Sequence, residues 1–383
     1  MLFNTFASCR EDIQAAAAIP SIKEVLLEPM LLARQGTLTQ QQLYNLAEEA
    51  RRKDLDPVLV WDILMTDSSL NTVGDRVRNW DLGMFSAVRA ADAGVAQWLC
   101  EHYPRIPLQL SVENGNHNLP GLLSWCDLFK ASLSRLILSI ELTEETLAEY
   151  CQALPIDCEL LGAGRILLFY SPRELLSPVV PSPPQSPLIE SVIKTKEYGS
   201  RAFPTQESIH GTLMYFDKDQ FLLDRYENLK QCGFHTIRID VRHFSTVQAQ
   251  TLPLSQICSD AVSSPKRLKK QWPFLIKAPF FKSNRTASMF PRLKSKISPL
   301  KDTSCIAQCI GSKNGEYGIF QTLHPFNRDD VRQMILPTKV AVDIPEDVTF
   351  HTISGEELGE CDANQTIIMS WIKRTASGSI LVK

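Results

Sequence analysis

The stretch RLILSIE (residues 135–141) is a short aliphatic run that ends on the carboxylate of Glu141. A run of this length, when a helical pattern follows it, is typical of a parallel strand and its crossover helix. The same arrangement occurs four more times, in EVLLE to Glu28, PVLVWD to Asp62, LQLSVE to Glu113 and TIRID to Asp240. This repetition predicts an α/β fold, namely a TIM-like (β/α) barrel with a small C-terminal all-β domain.

The five acids that end these runs are the first candidates for catalysis. In a barrel of this kind the carboxyl ends of the strands meet at one face, so the acids predict an acidic mouth. We expect Glu113 and Glu141 to be catalytic, with Asp62 and Glu28 as further candidates. Crowded carboxyl groups can supply a general acid and a general base, or they can bind a divalent cation. An acid after a strand can also simply cap the next helix, and the pattern leaves these alternatives open.

The loop ENGNHN (113–118) is the densest polar cluster in the chain. Asn and Gly are favoured in tight turns for their backbone conformation, which explains the loop without any function. It does not explain His117, for which two alternatives remain: a general base or metal ligand, or a structural residue. We expect Asn116 and Asn118 to contact a substrate.

Composition limits the class of protein. The chain has 383 residues, 44% hydrophobic and 22% charged, which is typical of a globular protein, and no apolar run is long enough to span a membrane. Glu11 and Asp12 interrupt the N-terminal region, so we expect a cytosolic protein without a signal peptide or membrane partner. The ten cysteines include no C-x-x-C pair and are expected to be reduced thiols.

Several common catalytic motifs are missing from the sequence. It contains no G-x-S-x-G elbow, no H-E-x-x-H motif and no Walker loop, which argues against a serine hydrolase, a zincin and a nucleotide hydrolase. The pair Gly162-x-Gly164 lacks the third glycine of a dinucleotide fingerprint and predicts a tight turn instead.

Changes of composition predict four segments. Residues 1–20 form an N-terminal extension, 21–265 the barrel, 266–301 a basic aromatic connection, and 302–383 a small β-barrel or sandwich. Within the barrel domain, the proline-rich stretch 177–187 predicts a loop, and DKDQFLLDRYENLKQCG (217–233) predicts a helix that ends before Gly233.

The basic aromatic segment 266–301 holds eleven Lys or Arg residues and no acid, although the whole chain carries a net charge of −3. Basic residues with interleaved aromatics favour a surface that binds RNA or another polyanion. The alternative is a solvated basic strip whose aromatic side chains are buried beneath it.

Three regions together resemble the collagenase-like bacterial peptidases of family U32. They are IDCELLGAGRILLFYSPRELLS (156–177), HGTLMYFDKDQFLLDRYENLKQCGFHTIRIDVR (210–242) and the β-rich tail. The resemblance implies a hydrolase that cleaves a peptide or protein substrate. The alternative is a non-proteolytic relative associated with RNA modification, which binds RNA or another polyanion through segment 266–301. We expect residues of the two motifs to contact the substrate, namely Glu159, Arg165, Tyr170, Arg173, His210, Arg238, Asp240 and Arg242.

The sequence departs from this family at the ligands of a cofactor. Members of the family carry cysteines in the first motif that help to hold an iron-sulfur cluster, and Arg165 and Glu174 stand at the corresponding positions here. Neither side chain can replace a thiolate ligand, so no iron-sulfur cluster is expected. A divalent metal stays open as an alternative cofactor.

Overall fold

The computed structural model describes residues 1–113, 116–179, 188–194, 201–246, 252–282, 304–337 and 340–383. The chain divides into two units, Met1–Arg285 and Thr286–Lys383. No helix among the described residues is both long and apolar enough to cross a membrane.

The first unit combines strands and helices in alternation. Its strands are β1 Leu2–Phe6, β2 Ile22–Leu27, β3 Asp56–Trp61, β4 Ala87–Ala90, β5 Leu108–Ser111, β6 Leu133–Ile137, β7 Asp157–Ser171, β8 Ile189–Lys194, β9 Ala202–Ser208, β10 Gly211–Phe221, β11 Thr236–Ile239 and β12 Ile276–Lys277. Its helices are α1 Arg10–Ala17, α2 Gln40–Arg52, α3 Asp67–Val77, α4 Ala93–His102, α5 Leu119–Phe129, α6 Glu144–Ala153, α7 Tyr226–Gln231, α8 Leu254–Ser263 and α9 Pro265–Gln271.

Eight parallel strands close into a barrel. Strands β1 to β7 pair in chain order, and β11 pairs with both β1 and β7, so the sheet has no open edge at that point. Helices lie between the strands, which confirms the predicted TIM-like barrel. Helix α2 begins with a capping box formed by Thr39 and Gln42, and Leu43, Leu46 and Ala47 are buried on its apolar face.

The first barrel strand was predicted to be part of an N-terminal extension, and this prediction is wrong. Residues Leu2–Phe6 form β1 between β2 and β11. The strand is hard to recognise because its centre is Asn4, a polar residue. In the barrel Asn4 is completely buried, and its Nδ2 donates a hydrogen bond to Glu159 Oε2 at 2.8 Å.

An antiparallel extension leaves the barrel after β7. Strand β7 continues to Ser171 and pairs with β10, which in turn pairs with β9 and then β8. The predicted helix 217–233 is therefore partly wrong, because residues up to Phe221 belong to β10 and only Tyr226–Gln231 forms α7. Pairing with the exposed edge of β7 overrides the local helical pattern. Residues 180–187 of the predicted proline-rich loop lie outside the described part of the chain.

Two glycines of β7, Gly162 and Gly164, pack against β11 and the residue after it where there is no room for a Cβ. Gly164 has φ +140°, and a Cβ there would lie 2.6 Å from the carbonyl oxygen of Asp240. The prediction of a tight turn at Gly162 and Gly164 is wrong, since both lie within β7. This packing brings Arg165 to the carboxyl end of the barrel, where Arg165 and Asp240 line the same cavity.

The described part of the basic segment belongs to the barrel unit. Trp272 and Phe281 are buried, and Trp272 Nε1 donates a hydrogen bond to Asp219 Oδ2 at 2.9 Å. These rings pack in the core, as the second sequence interpretation expects, and are not available for stacking with bases. Residues 283–303 lie outside the described residues.

The second unit is an antiparallel β domain, as predicted. Its strands are β13 Cys305–Lys313, β14 Tyr317–Thr322, β15 Phe326–Asn327, β16 Gln333–Ile335, β17 Ala341–Asp343, β18 Phe350–His351, β19 Glu360–Cys361, β20 Thr366–Ser370 and β21 Ile380–Val382. Seven of them form one sheet in the order β17-β16-β21-β13-β14-β20-β18, and β15 pairs with β19. Phe320, Met334 and Leu381 are completely buried in its core.

Candidate active site at the barrel mouth

A cavity of about 200 Å³ lies at the carboxyl ends of the barrel strands, and we call it the mouth cavity. All five predicted acids line it: Glu28, Asp62, Glu113, Glu141 and Asp240. Five arginines line it as well: Arg34, Arg89, Arg165, Arg238 and Arg242. The predicted acidic mouth is therefore corrected to a mouth in which carboxylates and guanidinium groups are equal in number.

Beneath the mouth cavity, Glu159 is the centre of a buried ionic cluster. Its side chain is fully buried, and Arg89 donates to both carboxylate oxygens, at 2.8 and 2.6 Å. Arg135 and Arg238 each approach at 3.3 Å. Burial alone would raise the pKa of Glu159, but the three arginines outweigh it and lower the pKa. The predicted contact of Glu159 with a substrate does not fit this burial.

Further side chains inside the barrel complete this cluster, which we call the floor. Arg135 Nη1 lies 2.5 Å from Glu24 Oε2. Gln109 connects the ion pair of Arg89 and Glu159 with that of Arg135 and Glu24. Its Oε1 accepts a hydrogen bond from Arg89, and its Nε2 donates one to Glu24 Oε1 at 3.1 Å. These residues were not predicted as a cluster, because they lie on different strands and nothing local in the sequence indicates that the barrel brings them together.

At the rim of the mouth cavity, Arg242 joins two of the predicted acids. It binds both oxygens of Asp240, at 2.9 and 2.6 Å, and its Nη1 lies 2.5 Å from Glu28 Oε2. The guanidinium also lies 3.5 Å from the centre of the Phe6 ring. Asp240 and Glu28 are therefore two carboxyl groups that share one cation.

Their shared arginine does not affect the two acids equally. For Asp240, burial would raise the pKa, but the bidentate contact with Arg242 outweighs it and holds the pKa below its usual range. For Glu28, burial raises the pKa, Arg242 opposes this only in part, and the negative charges of Asp62 and Asp240 add to the rise. A carboxyl group whose pKa is raised and that lines a cavity can serve as a general acid.

Asp62 and Glu113, both predicted to be catalytic, are each held by one arginine. Arg34 donates to Asp62 from its backbone N–H at 2.7 Å and from Nε at 2.9 Å. Glu113 forms an ion pair with Arg238 and accepts from Ser111 Oγ at 3.2 Å. These contacts fix the orientation of both arginines toward the mouth cavity.

Glu141 and His117 form the most exposed polar pair at the mouth. His117 Nε2 lies 3.6 Å from Glu141 Oε2 and 3.0 Å from Ser139 Oγ. The Glu141 side chain is 49% exposed, more than any other acid of the mouth cavity, and that of His117 is 38% exposed. Glu141 lines the mouth cavity, whereas His117 lies beside Glu141 and does not line it.

The other residues of the predicted loop have structural contacts. Asn116 Oδ1 accepts a hydrogen bond from Trp125 Nε1 at 2.8 Å and lines a neighbouring cavity of about 460 Å³ together with Asp62 and Tyr170. Asn118 caps α5 by accepting from Gly121 N at 2.9 Å. Residues 114 and 115 lie outside the described part of the chain.

Besides Asn116, Asn118 and Glu159, three further residues of the predicted substrate set do not line the mouth cavity. Tyr170 donates to the carbonyl oxygen of His210 at 2.8 Å, and His210 Nε2 donates to that of Met30 at 2.7 Å. Arg173 is exposed on the segment after β7, and only its carbonyl oxygen has a described contact, with Thr212 Oγ1. None of these side chains lines the mouth cavity.

Arg165 and Tyr215 face each other in the wall of the mouth cavity. The Arg165 guanidinium carbon lies 5.4 Å from the centre of the Tyr215 ring. The Tyr215 hydroxyl is buried and has no hydrogen-bond partner among the described residues. Tyr215 was not predicted as a site residue, although it lies in the segment HGTLMYF, which is part of the second motif of the family resemblance.

The residues at the family's cysteine positions do not fit an iron-sulfur cluster. Arg165 packs on Tyr215, and Glu174 Oε2 accepts from Ser177 Oγ at 3.3 Å. The described residues contain no group of three or more His, Cys, Asp or Glu side chains arranged to hold a metal ion. This donor set supports no cluster chemistry in the barrel.

The closed parallel barrel makes the first unit an α/β barrel, and its ionisable groups lie at the face where barrel enzymes carry their active sites. The model of peptidase family U32 matches residues 30–255, more than half of the chain. The chain therefore belongs to peptidase family U32. No curated protein matches it in sequence.

Two solved structures illustrate the general similarity. The U32 peptidase Mk0906 is 8% identical, with a TM-score of 0.40 over 66% of this chain and 94% of that protein. The phospho-2-dehydro-3-deoxyheptonate aldolase of Thermotoga maritima is 11% identical, with a TM-score of 0.39 over 72% of this chain and 71% of that one. The fold is established here by the strand order itself.

Proposed function

We propose that the chain is a peptidase that hydrolyses peptide bonds in the mouth cavity by acid–base chemistry. Membership of peptidase family U32 supports a peptide or protein substrate. The observation that carries the mechanism is that two acids of different environment line one cavity: Glu28, which is buried and has a raised pKa, and Glu141, which is exposed.

Glu28 is the proposed general acid. Hydrolysis of a peptide bond needs a proton on the leaving nitrogen, and a carboxyl group can deliver it only if it keeps that proton until the bond breaks. The raised pKa of Glu28 favours the protonated form, and the position of Glu28 on the wall of the mouth cavity gives it access to a bound peptide.

Glu141 is the proposed general base. It lines the same cavity and is the acid with the best access to water. Glu141 takes a proton from a water molecule, the resulting hydroxide attacks the carbonyl carbon, and Glu28 protonates the nitrogen as the carbon–nitrogen bond breaks. Solvent then returns a proton to Glu28 and removes one from Glu141. His117, 3.6 Å from Glu141, positions that carboxylate.

The remaining predicted acids have supporting roles in this proposal. Asp62 and Glu113 orient Arg34 and Arg238, and Asp240 holds Arg242 beside Glu28. These arginines place positive charge around the substrate's carbonyl oxygen, where negative charge develops during attack.

Hydrolysis of casein and gelatin by the purified chain tests the proposal. We expect Glu141→Gln to lower the rate by about a hundredfold, the lower end of the effect of one acid–base group, and His117→Ala to lower it less. Glu145→Gln is the matched control, because Glu145 is an exposed acid in the first turn of α6. Equal rates in Glu141→Gln and the control would contradict the proposal. A parallel assay with chelator tests whether a divalent metal takes part.

A further inference from the structure

Arg165 differs from the other arginines of the mouth cavity. Arg34, Arg89, Arg238 and Arg242 each contact a carboxylate, at 3.3 Å or closer. Among the described residues Arg165 has no carboxylate partner, and its described contact is the face of the Tyr215 ring. A partly buried guanidinium without a counter-ion is costly, and a bound anion would compensate its charge.

Tyr215 supplies a second, independent indication at the same place. Its side chain is 5% exposed, it lines the mouth cavity, and its hydroxyl has no hydrogen-bond partner among the described residues. Buried hydroxyl groups almost always have a partner, so an unpaired one next to a cavity indicates a group that binds there. Burial raises the pKa of Tyr215, which keeps the hydroxyl protonated and able to donate.

The two side chains together specify the chemistry of the missing partner. A guanidinium presents N–H donors in a planar fork, and the tyrosine adds one O–H donor, so the complementary ligand is an acceptor with at least two oxygens. Apart from Arg165, the cavity wall carries five carboxyl groups and four guanidinium groups, a formal excess of one negative charge, which repels a doubly charged phosphate more strongly than a singly charged carboxylate. The cavity of about 200 Å³ has room for a group of that size.

We propose that Arg165 and the Tyr215 hydroxyl form a binding subsite for a carboxylate in the mouth cavity. Combined with the proposed peptidase function, on which this part rests, the subsite makes the chain selective for peptides that present a carboxylate next to the cleaved bond. The carboxylate comes either from the C-terminus of a short peptide or from an acidic side chain.

The test measures binding of small probes to the full chain by titration calorimetry. Alanyl-alanine and its C-terminal amide compare the terminal carboxylate with a neutral isostere, and N-acetyl-aspartate amide and N-acetyl-asparagine amide compare the side-chain carboxylate in the same way. Inorganic phosphate is the third kind of probe. We expect one carboxylate probe to bind at least about tenfold more tightly than its amide and more tightly than phosphate.

Variants connect that preference to the two residues. Arg165→Gln should weaken binding of the preferred probe by about 10- to 100-fold, the range for a charged hydrogen bond. Arg165→Lys should recover part of the affinity, because it restores the charge without the planar fork. Tyr215→Phe should weaken binding by up to about tenfold, the range for a neutral hydrogen bond. Arg105→Gln removes an exposed arginine as the matched control and should change nothing.

The proposal is overturned if no carboxylate probe binds, if phosphate binds more tightly, or if Arg165→Gln binds as well as wild type. The result is separable from the proposed function, because the probes need not be cleaved. Probe binding that depends on Arg165 in a chain that does not hydrolyse casein would support the subsite and contradict the peptidase proposal. Casein hydrolysis by a chain that shows no preference for the carboxylate probes would support the peptidase proposal and contradict the subsite.

Discussion

The floor and the mouth cavity use the same residue types in opposite ways. In the floor, Glu159 is fully buried and all its charge is compensated by Arg89, Arg135 and Arg238. At the mouth, Glu28 has a raised pKa and Tyr215 has an unpaired hydroxyl among the described residues. In the floor each charged side chain has an ion-pair partner, although Arg135 Nε has no hydrogen-bond partner among the described residues, and such a cluster stabilises one geometry. An unpaired group next to a cavity leaves binding capacity for a substrate.

The largest expected effect comes from breaking the floor. Glu159→Gln removes the negative charge on which three buried arginines converge. Loss of one partner from a buried ion pair typically costs about 3–5 kcal/mol, and we expect a loss of that size in the free energy of unfolding. Denaturant unfolding measures it, with Glu145→Gln as the control. A loss below about 1 kcal/mol, the size for an exposed pair, would show that the floor is not structural.

The pH dependence of stability should separate the two acids that share Arg242. An unfolded glutamate titrates near about pH 4.3, and the folded pKa of Glu28 is higher. Between these values the folded state binds the proton more tightly, so stability falls as pH rises through this window. The contribution of Asp240 to stability depends on pH in the opposite direction. It is present above about pH 3.9, the pKa of an unfolded aspartate, and is lost as pH falls toward the lowered pKa of folded Asp240.

Urea unfolding over a pH series checks both signs. Glu28→Gln should flatten the decline of stability above about pH 4.3, and Asp240→Asn should flatten the loss on the acid side. If Glu28→Gln instead removed stability only on the acid side, the pKa of Glu28 would be lowered and its assignment as a general acid would fail.

The smallest expected effect comes from the unpaired hydroxyl of Tyr215. Removing a buried polar group that has no partner relieves its desolvation cost, so Tyr215→Phe should stabilise the unliganded chain by about 1 kcal/mol. Thermal or urea unfolding of the two proteins measures the difference. A clear destabilisation would mean that the hydroxyl already has a partner and would weaken the proposed carboxylate subsite.

Local sequence patterns were sufficient to locate the acids of the mouth. Glu28, Asp62 and Asp240 each follow a strand directly, so the strand-end rule places them at one face of a barrel. Their partners could not be located in this way. Arg34 lies in a loop far from Asp62 in sequence, and Arg89 is one polar residue inside β4. Such pairs depend on which strands become neighbours, and this is a property of the whole barrel.

The errors in the predicted elements have a related cause. Strand β1 was missed because Asn4 breaks its apolar pattern, and that polarity is explained only by the distant Glu159. Tyr215 was missed because its importance depends on Arg165, which reaches it through the pairing of β7 with β10. Local propensity carries little information about contacts between residues that are far apart in sequence.

The central claim is that the mouth cavity is a peptidase active site in which Glu28 donates a proton. The most direct test is the rate of casein hydrolysis by wild type, Glu28→Gln and the control Glu145→Gln, with folding verified by unfolding curves. The account predicts that Glu28→Gln lowers the rate by at least about a hundredfold while the control keeps the wild-type rate. Equal rates in all three proteins would contradict the account.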